Sequence, residues 1–416
     1  MFRIVIPALL LAIQYMLYRK ARRWISTSFP GRKWAVLTLT LLFLLFNAMI
    51  VAAAIVQPSL LQLPQWALLV FVYPFFIWHG AVFFVGLVLL LLFLVKLPFR
   101  IGMFFARRIH PVRERIESIQ ESRPFRQFDA SRRVFLRRSM EGLTALSFAG
   151  NAYGLAIGRN CYDINKAEFV IPNLDPALDG FSIALVSDIH SSAFMTRQQM
   201  DECVREVNAL RADLIVVPGD FVNSMVDEVY PFAESFANLK APLGVYGVMG
   251  NHDFYTRDPE LVAKEVDGCG VRLLRDDKTI IEKNGAKLYL VGVDDVGRSW
   301  TGNVRLDQAI GSAPLPIPRI LLCHRPYYLE EAATRKIDLV LSGHTHGGQI
   351  VFAQFGGMTL APAALASRYI WGPYRVDQTQ MYVSRGIGTV GIPVRLNCPP
   401  EITRIVLKTG PAGART

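Results

Sequence analysis

The sequence predicts N-terminal transmembrane helices followed by an α/β domain of stacked mixed β-sheets flanked by helices. Three observations predict it. Long apolar runs fill the first third, the excess positive charge is confined to that same third, and from Cys161 onward short β-rich runs alternate with helical stretches.

A chain of 416 residues has room for two or three domains. Its 52% hydrophobic residues exceed what a purely soluble enzyme carries, and with 19% charged residues disorder is excluded as the dominant state. The net charge of +11 is divided unevenly. Residues 1–159 hold 20 Lys/Arg against 5 Asp/Glu, with no acidic residue before Glu114, whereas residues 160–416 hold 25 against 29. That is a membrane pattern, and the mildly acidic second part lacks the basic stripe of a nucleic-acid binder. Five cysteines, Cys161, Cys203, Cys269, Cys323 and Cys398, form no CxxC pair, so they read as core or incidental residues with room for one bridge.

The membrane region is residues 1–159, with about four transmembrane helices. Its apolar runs are Phe2–Tyr18, Trp34–Val56 and Trp66–Val95. The second fits a span of about 20 residues, and the third is either one tilted helix kinked at Pro74 or two short spans. Basic residues in Arg19–Lys33, and again after Lys96, place both segments on the cytoplasmic side, while the connector 57–65 carries no charge. A fourth, weaker candidate is Met140–Ile157. It follows Ser131-Arg132-Arg133-Val134-Phe135-Leu136-Arg137, a segment (131–137) that resembles the twin-arginine export signal or is a basic patch at the inner leaflet. Export would make the protein a multi-pass cell-membrane protein with residues 160–416 on the periplasmic, extracytoplasmic side.

In residues 160–416 strands are predicted at Phe181–Ser187, Leu214–Val217, Val245–Met249, Lys287–Val293, Ile320–Cys323 and Leu339–Leu341, then near 381–384 and 402–407. A helix is predicted near 196–210. Most of the strands end in a metal-capable residue, and ligand sites of open α/β sheets lie beyond the carboxyl ends of strands. Five clusters stand there: Ser187-Asp188-Ile189-His190, Pro218-Gly219-Asp220-Phe221, Gly250-Asn251-His252-Asp253, Cys323-His324-Arg325-Pro326 and Gly343-His344-Thr345-His346. They contain five of the seven histidines. Asp, Asn and His are oxygen and imidazole donors for Zn, Mn or Fe. In an extended strand end, residues i and i+2 face the same way, so Asp188 with His190 and His344 with His346 each present two side chains to one locus.

The order D-x-H, G-D, G-N-H-D, H, G-H-x-H resembles the calcineurin-like metallophosphoesterase superfamily across about Phe181–Gln349, and the tail Tyr382–Gly388 with Cys398–Ile402 resembles its membrane-attached bacterial branch. The resemblance implies a metallophosphoesterase domain at 160–416 with two divalent metal ions (Mn, Zn or Fe). One is held by Asp188, His190 and His346, the other by Asn251, His324 and His344, and Asp220 bridges them. It further implies attack by a metal-bound hydroxide, with His252 protonating the leaving oxygen or stabilising charge on phosphorus, and Asp253 orienting the His252 imidazole.

Other residues leave two readings each. Asp253 can instead cap a helix that begins near Asp258. Asp294-Asp295 is a support of the site or a polar turn. Arg325, Arg385 and Arg395 bind phosphate or make salt bridges. Cys323 reads as core. Phe355–Tyr374 is a buried loop or a surface at the membrane interface.

The function expected is a membrane-anchored dimetal phosphohydrolase cleaving phosphodiester or pyrophosphate bonds. Its partners are membrane lipids and a phosphorylated substrate, a lipid-linked one being a reasonable class, and no nucleic acid is expected. The alternatives are a protein or small-molecule phosphomonoesterase and a non-catalytic membrane sensor or scaffold.

Overall fold

The computed structural model describes residues 2–56, 60–295, 302–311, 314–355 and 358–410. Contacts divide the chain into two compact units, meeting in sequence at Tyr153 and Gly154.

The first unit is helical: α1 (Phe2–Ser28), α2 (Lys33–Val56), α3 (Gln65–Ala106), α4 (His110–Glu121) and α5 (Arg123–Tyr153). Among the described residues α3 is the one helix long and apolar enough to cross a membrane by length and composition. It is continuous, because Pro74, which has no N–H to donate, follows a π-helical stretch at Leu68–Val72 whose wider turn absorbs it. The apolar stretch of α2 is shorter, Lys33–Ala48, and the side chains of 51–56 lie outside the described residues, as do residues 57–59 of the uncharged connector. The basic segment after Tyr18 is helical as far as Ser28, and the twin-arginine-like 131–137 shares α5 with the fourth apolar candidate up to Tyr153. Polar side chains tie the helices together: Trp78 and Asn47 both donate to Gln14 Oε1, at 2.9 and 3.1 Å, joining α3 and α2 to α1.

The second unit has two six-stranded sheets. Along the chain come β1 (Asp163–Ile171), β2 (Ser182–Leu185), β3 (Leu214–Val217), β4 (Val245–Gly247), β5 (Val271–Leu273), β6 (Asp277–Lys283) and β7 (Ala286–Val293). Then follow β8 (Arg319–Cys323), β9 (Leu339–Ser342), the hairpin β10 (Ala353–Phe355) and β11 (Met358–Leu360), β12 (Gly372–Val376), β13 (Thr379–Val383) and β14 (Glu401–Thr409). One sheet runs β1-β14-β2-β3-β4-β5, with β2 to β5 parallel. The other runs β12-β13-β9-β8-β7-β6, with β13, β9, β8 and β7 parallel.

Alternation along the strands makes a layered sandwich. Ile183, Leu185, Leu214 and Val216 of the first sheet share one core with Leu288, Leu290, Ile320, Leu322, Leu339 and Leu341 of the second, so this core lies between the sheets. The intervening Ala184, Ile215 and Val217 face outward onto Met200, Val204 and Phe232 of the helices at 197–209 and 229–236. On the other side Tyr289, Val291, Leu321, Cys323 and Val340 pack on Leu306, Ala309, Leu329 and Ala332. Strands buried on both faces read as continuous apolar runs, which is why they were visible in the sequence. Cys323 is a core residue, burial pushes its thiol pKa up, and all five cysteines are free.

Candidate metal centre

The five clusters converge beyond the carboxyl ends of β2, β3, β4, β8 and β9. Asp220 is at the centre. Its Oδ2 lies 3.4 Å from His190 Nε2 and 3.2 Å from His324 Nε2, and its Oδ1 accepts the backbone N–H of His252 at 2.8 Å. His190 Nε2 faces His346 Nε2 at 3.0 Å, and His346 Nε2 stands 3.6 Å from Asp188 Oδ1. On the other side of Asp220, His324 Nε2 faces His344 Nδ1 at 3.1 Å. Asp188, His190 and His346 have ligand atoms all within 4.8 Å of one another, as do Asp188, Asp220 and His324, and also His190, Asp220 and His252. Asn251 is buried, and its Oδ1 has no hydrogen-bond partner.

Such a set fits cations rather than hydrogen bonds among its own members. His324 Nδ1 lies 2.9 Å from the Pro218 carbonyl, which can only accept, so Nδ1 carries a proton and Nε2 is the atom presented to the centre. Nitrogens turned on one another around a carboxylate, with an orphaned amide oxygen beside them, are donors lacking an acceptor of their electrons. Electrostatics follow the same geometry. Burial opposes its charge, but the facing His324 holds Asp220 well below the usual carboxylate range. Burial likewise opposes His324, yet Asp220 raises it to about 10. Burial lowers His190 to about 3, leaving a neutral imidazole, and raises Asp188 to about 6.

The means of presentation differs from the expected alternation along a strand. Asp188, His190, Asp220, His344 and His346 all have positive φ, between 47° and 74°, and β2 and β9 end before them at Leu185 and Ser342. Each pair is therefore aimed by successive left-handed kinks, a costly conformation for residues other than glycine that persists where surrounding structure enforces it. Close approach does part of the enforcing. A Cβ on Gly343 would sit 2.1 Å from both Asp188 Oδ2 and Ser187 Oγ, and one on Gly250 would sit 2.3 Å from Asp220 Oδ1.

A second correction concerns Asp253. Its carboxylate does not engage the His252 ring but accepts the backbone N–H groups of Asp220, Phe221, Val222 and Gly250 at 2.8–3.1 Å. A carboxylate surrounded by four amide donors has its lone pairs committed to them, so it shapes the turn instead. The helix Pro259–Gly268 is capped by Asp258 itself. The His252 ring is held by the Asn223 carbonyl on Nδ1 and packs edge-on to His190, with centroids 4.6 Å apart. Asn223 belongs to a loop organised by Glu228, which accepts the N–H groups of Asn223, Ser224 and Met225 at 2.9, 2.7 and 2.9 Å. Neither residue was singled out from the sequence. The available signal was a Glu three residues after Met225 at the start of a helical stretch, the spacing of a capping pair.

The arginines resolve toward structure. Arg385 pairs with Glu401 and Asp163 at 2.5 and 3.0 Å. Arg395, 1% exposed, donates to the carbonyls of Gly388, Arg385, Gly386 and Cys398. Arg325 pairs with Asp295 at 2.5 Å, and Asp294 accepts the Met249 N–H at 3.0 Å, bracing the turn that carries Asn251. The segment Phe355–Tyr374 divides: Tyr369 and Ile370 are buried, whereas Phe355, Met358, Leu360 and Leu365 are exposed, and 356–357 lie outside the described residues.

Comparison with known proteins gives the same centre a context. The family model for calcineurin-like phosphoesterases matches residues 181–348. A zebrafish (Danio rerio) protein named "Transmembrane protein with metallophosphoesterase domain" is 33% identical over 62% of this chain and 60% of its own. An Aquifex aeolicus protein named "Uncharacterized metallophosphoesterase" is 30% identical over 53% of this chain and 83% of its own. The Escherichia coli protein "Phosphodiesterase YaeI" is 29% identical over 55% of this chain and 82% of its own. The match thus spans only about 60% of the zebrafish relative.

Proposed function

Because this chain belongs to the calcineurin-like metallophosphoesterase family, we propose that it is a membrane-anchored dimetal phosphohydrolase cleaving phosphodiester or pyrophosphate bonds. The observation that carries the reading is one carboxylate, Asp220, set between two facing pairs of imidazoles. Asp188, His190 and His346 would hold one divalent ion and Asn251, His324 and His344 the other, with Asp220 between them; Mn, Zn and Fe all suit these donors. Two such cations would supply Lewis acidity toward a phosphate and a lowered pKa for a water.

The chain's own residues do the rest. His252 stands beside the centre without belonging to either set, its Nδ1 committed to the Asn223 carbonyl, so its Nε2 is the atom that delivers a proton to the leaving oxygen. Asp253, through four amides, keeps Asp220 in place.

The relative named as a phosphodiesterase favours a diester over a monoester. The long apolar helix α3 and the relative named as a transmembrane protein support anchoring in a membrane. The remaining spans, the multi-pass topology and the periplasmic placement of residues 160–416 belong to the same reading, as does a lipid-linked phosphate as substrate. The exposed apolar tip at Phe355, Met358 and Leu360 supports contact with membrane lipids. Nucleic acid is outside this reading, because residues 160–416 are mildly acidic, 25 Lys/Arg against 29 Asp/Glu.

The test is the metal-loaded full chain assayed against a bis-aryl phosphate, a mono-aryl phosphate and a lipid pyrophosphate. Turnover of the diester or pyrophosphate above the monoester supports the reading, and preference for the monoester overturns it. A reporter active only in the periplasm, fused after Thr416, tests the topology; activity of a cytoplasm-only reporter overturns it.

A further inference from the structure

The helical unit has a half-open cavity of about 690 Å³ lined by α1, α2, α3 and α5, within the range of small-ligand sites. Its walls are mostly apolar, with Leu17, Leu39, Val82 and Phe148 among them. Its charged lining is Lys20, Arg137 and Glu141, a net single positive charge, and neither cation forms an ion pair among the described residues. Deeper in the wall is Gln14, 2% exposed, whose Nε2 has no hydrogen-bond partner while its Oε1 takes two donors. Six positions separate Gln14 from Lys20 on one helix, about 9 Å at 1.5 Å per residue.

An apolar chamber, a cationic mouth and an unused amide donor below it call for a ligand graded in the same way. Its anionic head belongs at Lys20 and Arg137, an ester or phosphate oxygen belongs at Gln14, and its chain fills the apolar part. A buried donor left without an acceptor is costly, and the Gln14 Nε2 therefore favours an occupant that carries one. The basic segments that include Lys20 and Arg137 are those the sequence puts on the cytoplasmic side, where anionic phospholipids gather.

We propose that this cavity is a binding site for an anionic phospholipid, with the phosphate on Lys20 and Arg137 and an acyl chain within the helical unit. The inference rests on the membrane reading of residues 1–159 and not on the phosphohydrolase chemistry.

The test uses the full chain in nanodiscs of phosphatidylcholine with a minor fraction of phosphatidylglycerol, followed by detergent exchange and counting of retained lipid by mass spectrometry. Phosphatidylglycerol is expected to remain, about one per chain, and phosphatidylcholine to wash away. Lys20→Gln with Arg137→Gln, both exposed side chains, lowers affinity about 30-fold. Ala21→Phe, which fills the cavity without touching either charge, also lowers retention; Gln14→Leu does so more mildly, with helical content unchanged. Equal retention of both lipids overturns the proposal, as does an unaltered preference in the double variant. Retention unaffected by Ala21→Phe places the chain outside the cavity and overturns it too. Displacement by glycerol 3-phosphate shows that only a headgroup is bound, with the same consequence.

Discussion

The Asp253 carboxylate accepts the backbone N–H of Asp220 at 3.0 Å, and that contact fixes the turn from which the Asp220 side chain reaches two pairs of histidines. Asp253→Ala would leave four buried N–H groups unpaired. At about 1–3 kcal/mol for each unsatisfied group, and with incomplete additivity, the loss is on the order of 4 kcal/mol. Denaturant unfolding should show that loss, and the purified variant should hold less metal. Unchanged stability would mean that the turn stands without this carboxylate.

His252→Ala should retain metal and lose about 10²–10⁴-fold in kcat, the usual range for a positioned acid. Glu228 acts on the same ring through the Asn223 loop, so Glu228→Ala should lower kcat about tenfold with cation content unchanged. In a His252→Ala background the Glu228 substitution should cost nothing further. A full additional loss in the double variant would show that Glu228 serves something other than His252.

Gly343→Ala is expected to act as strongly as a ligand substitution. The new methyl would meet Asp188 and Ser187 at 2.1 Å, so Asp188 must move. Elemental analysis should find cation content reduced, and a variant with wild-type content would show that the turn relaxes instead.

Asp338 offers a pH test outside the centre. Burial raises its carboxyl from 3.8 to about 6, although it accepts the Arg319 N–H at 2.8 Å. The folded state therefore holds the proton more tightly than the unfolded one. The associated stability is complete below about pH 3.8 and is lost as pH rises through about 6. Asp338→Asn keeps an acceptor for Arg319 and removes the charge, so it should stabilise the protein by about 2 kcal/mol at pH 7.5, discounted for partial exposure. The gain should vanish near pH 3.5. A gain equal at both pH values would assign the effect to packing.

The strands of the second unit were legible because burial on both faces leaves continuous apolar runs; β3 has the bounds read from the sequence, Leu214–Val217. The edge strand β1 was not seen, because its exposed Lys166 and Glu168 dilute the pattern. At the centre the residue types and their order were visible, but the backbone that aims them was not: nothing in Asp188 or His346 announces a left-handed φ, which tertiary packing imposes. The part played by Asp253 was hidden for a related reason. Three of its four partners are main-chain amides 31–33 residues away, and amides leave no mark in a sequence. Glu228 was hidden too, since its effect reaches the centre only through the Asn223 carbonyl.

The most direct measurement is the number of cations bound per full chain, determined by elemental analysis of the purified protein beside Asp220→Asn. Two per chain, falling to one or none in the variant together with loss of bis-aryl phosphate hydrolysis, is the predicted result. A chain that binds no cation after loading, or whose cation content and hydrolysis are untouched by Asp220→Asn, would contradict the account.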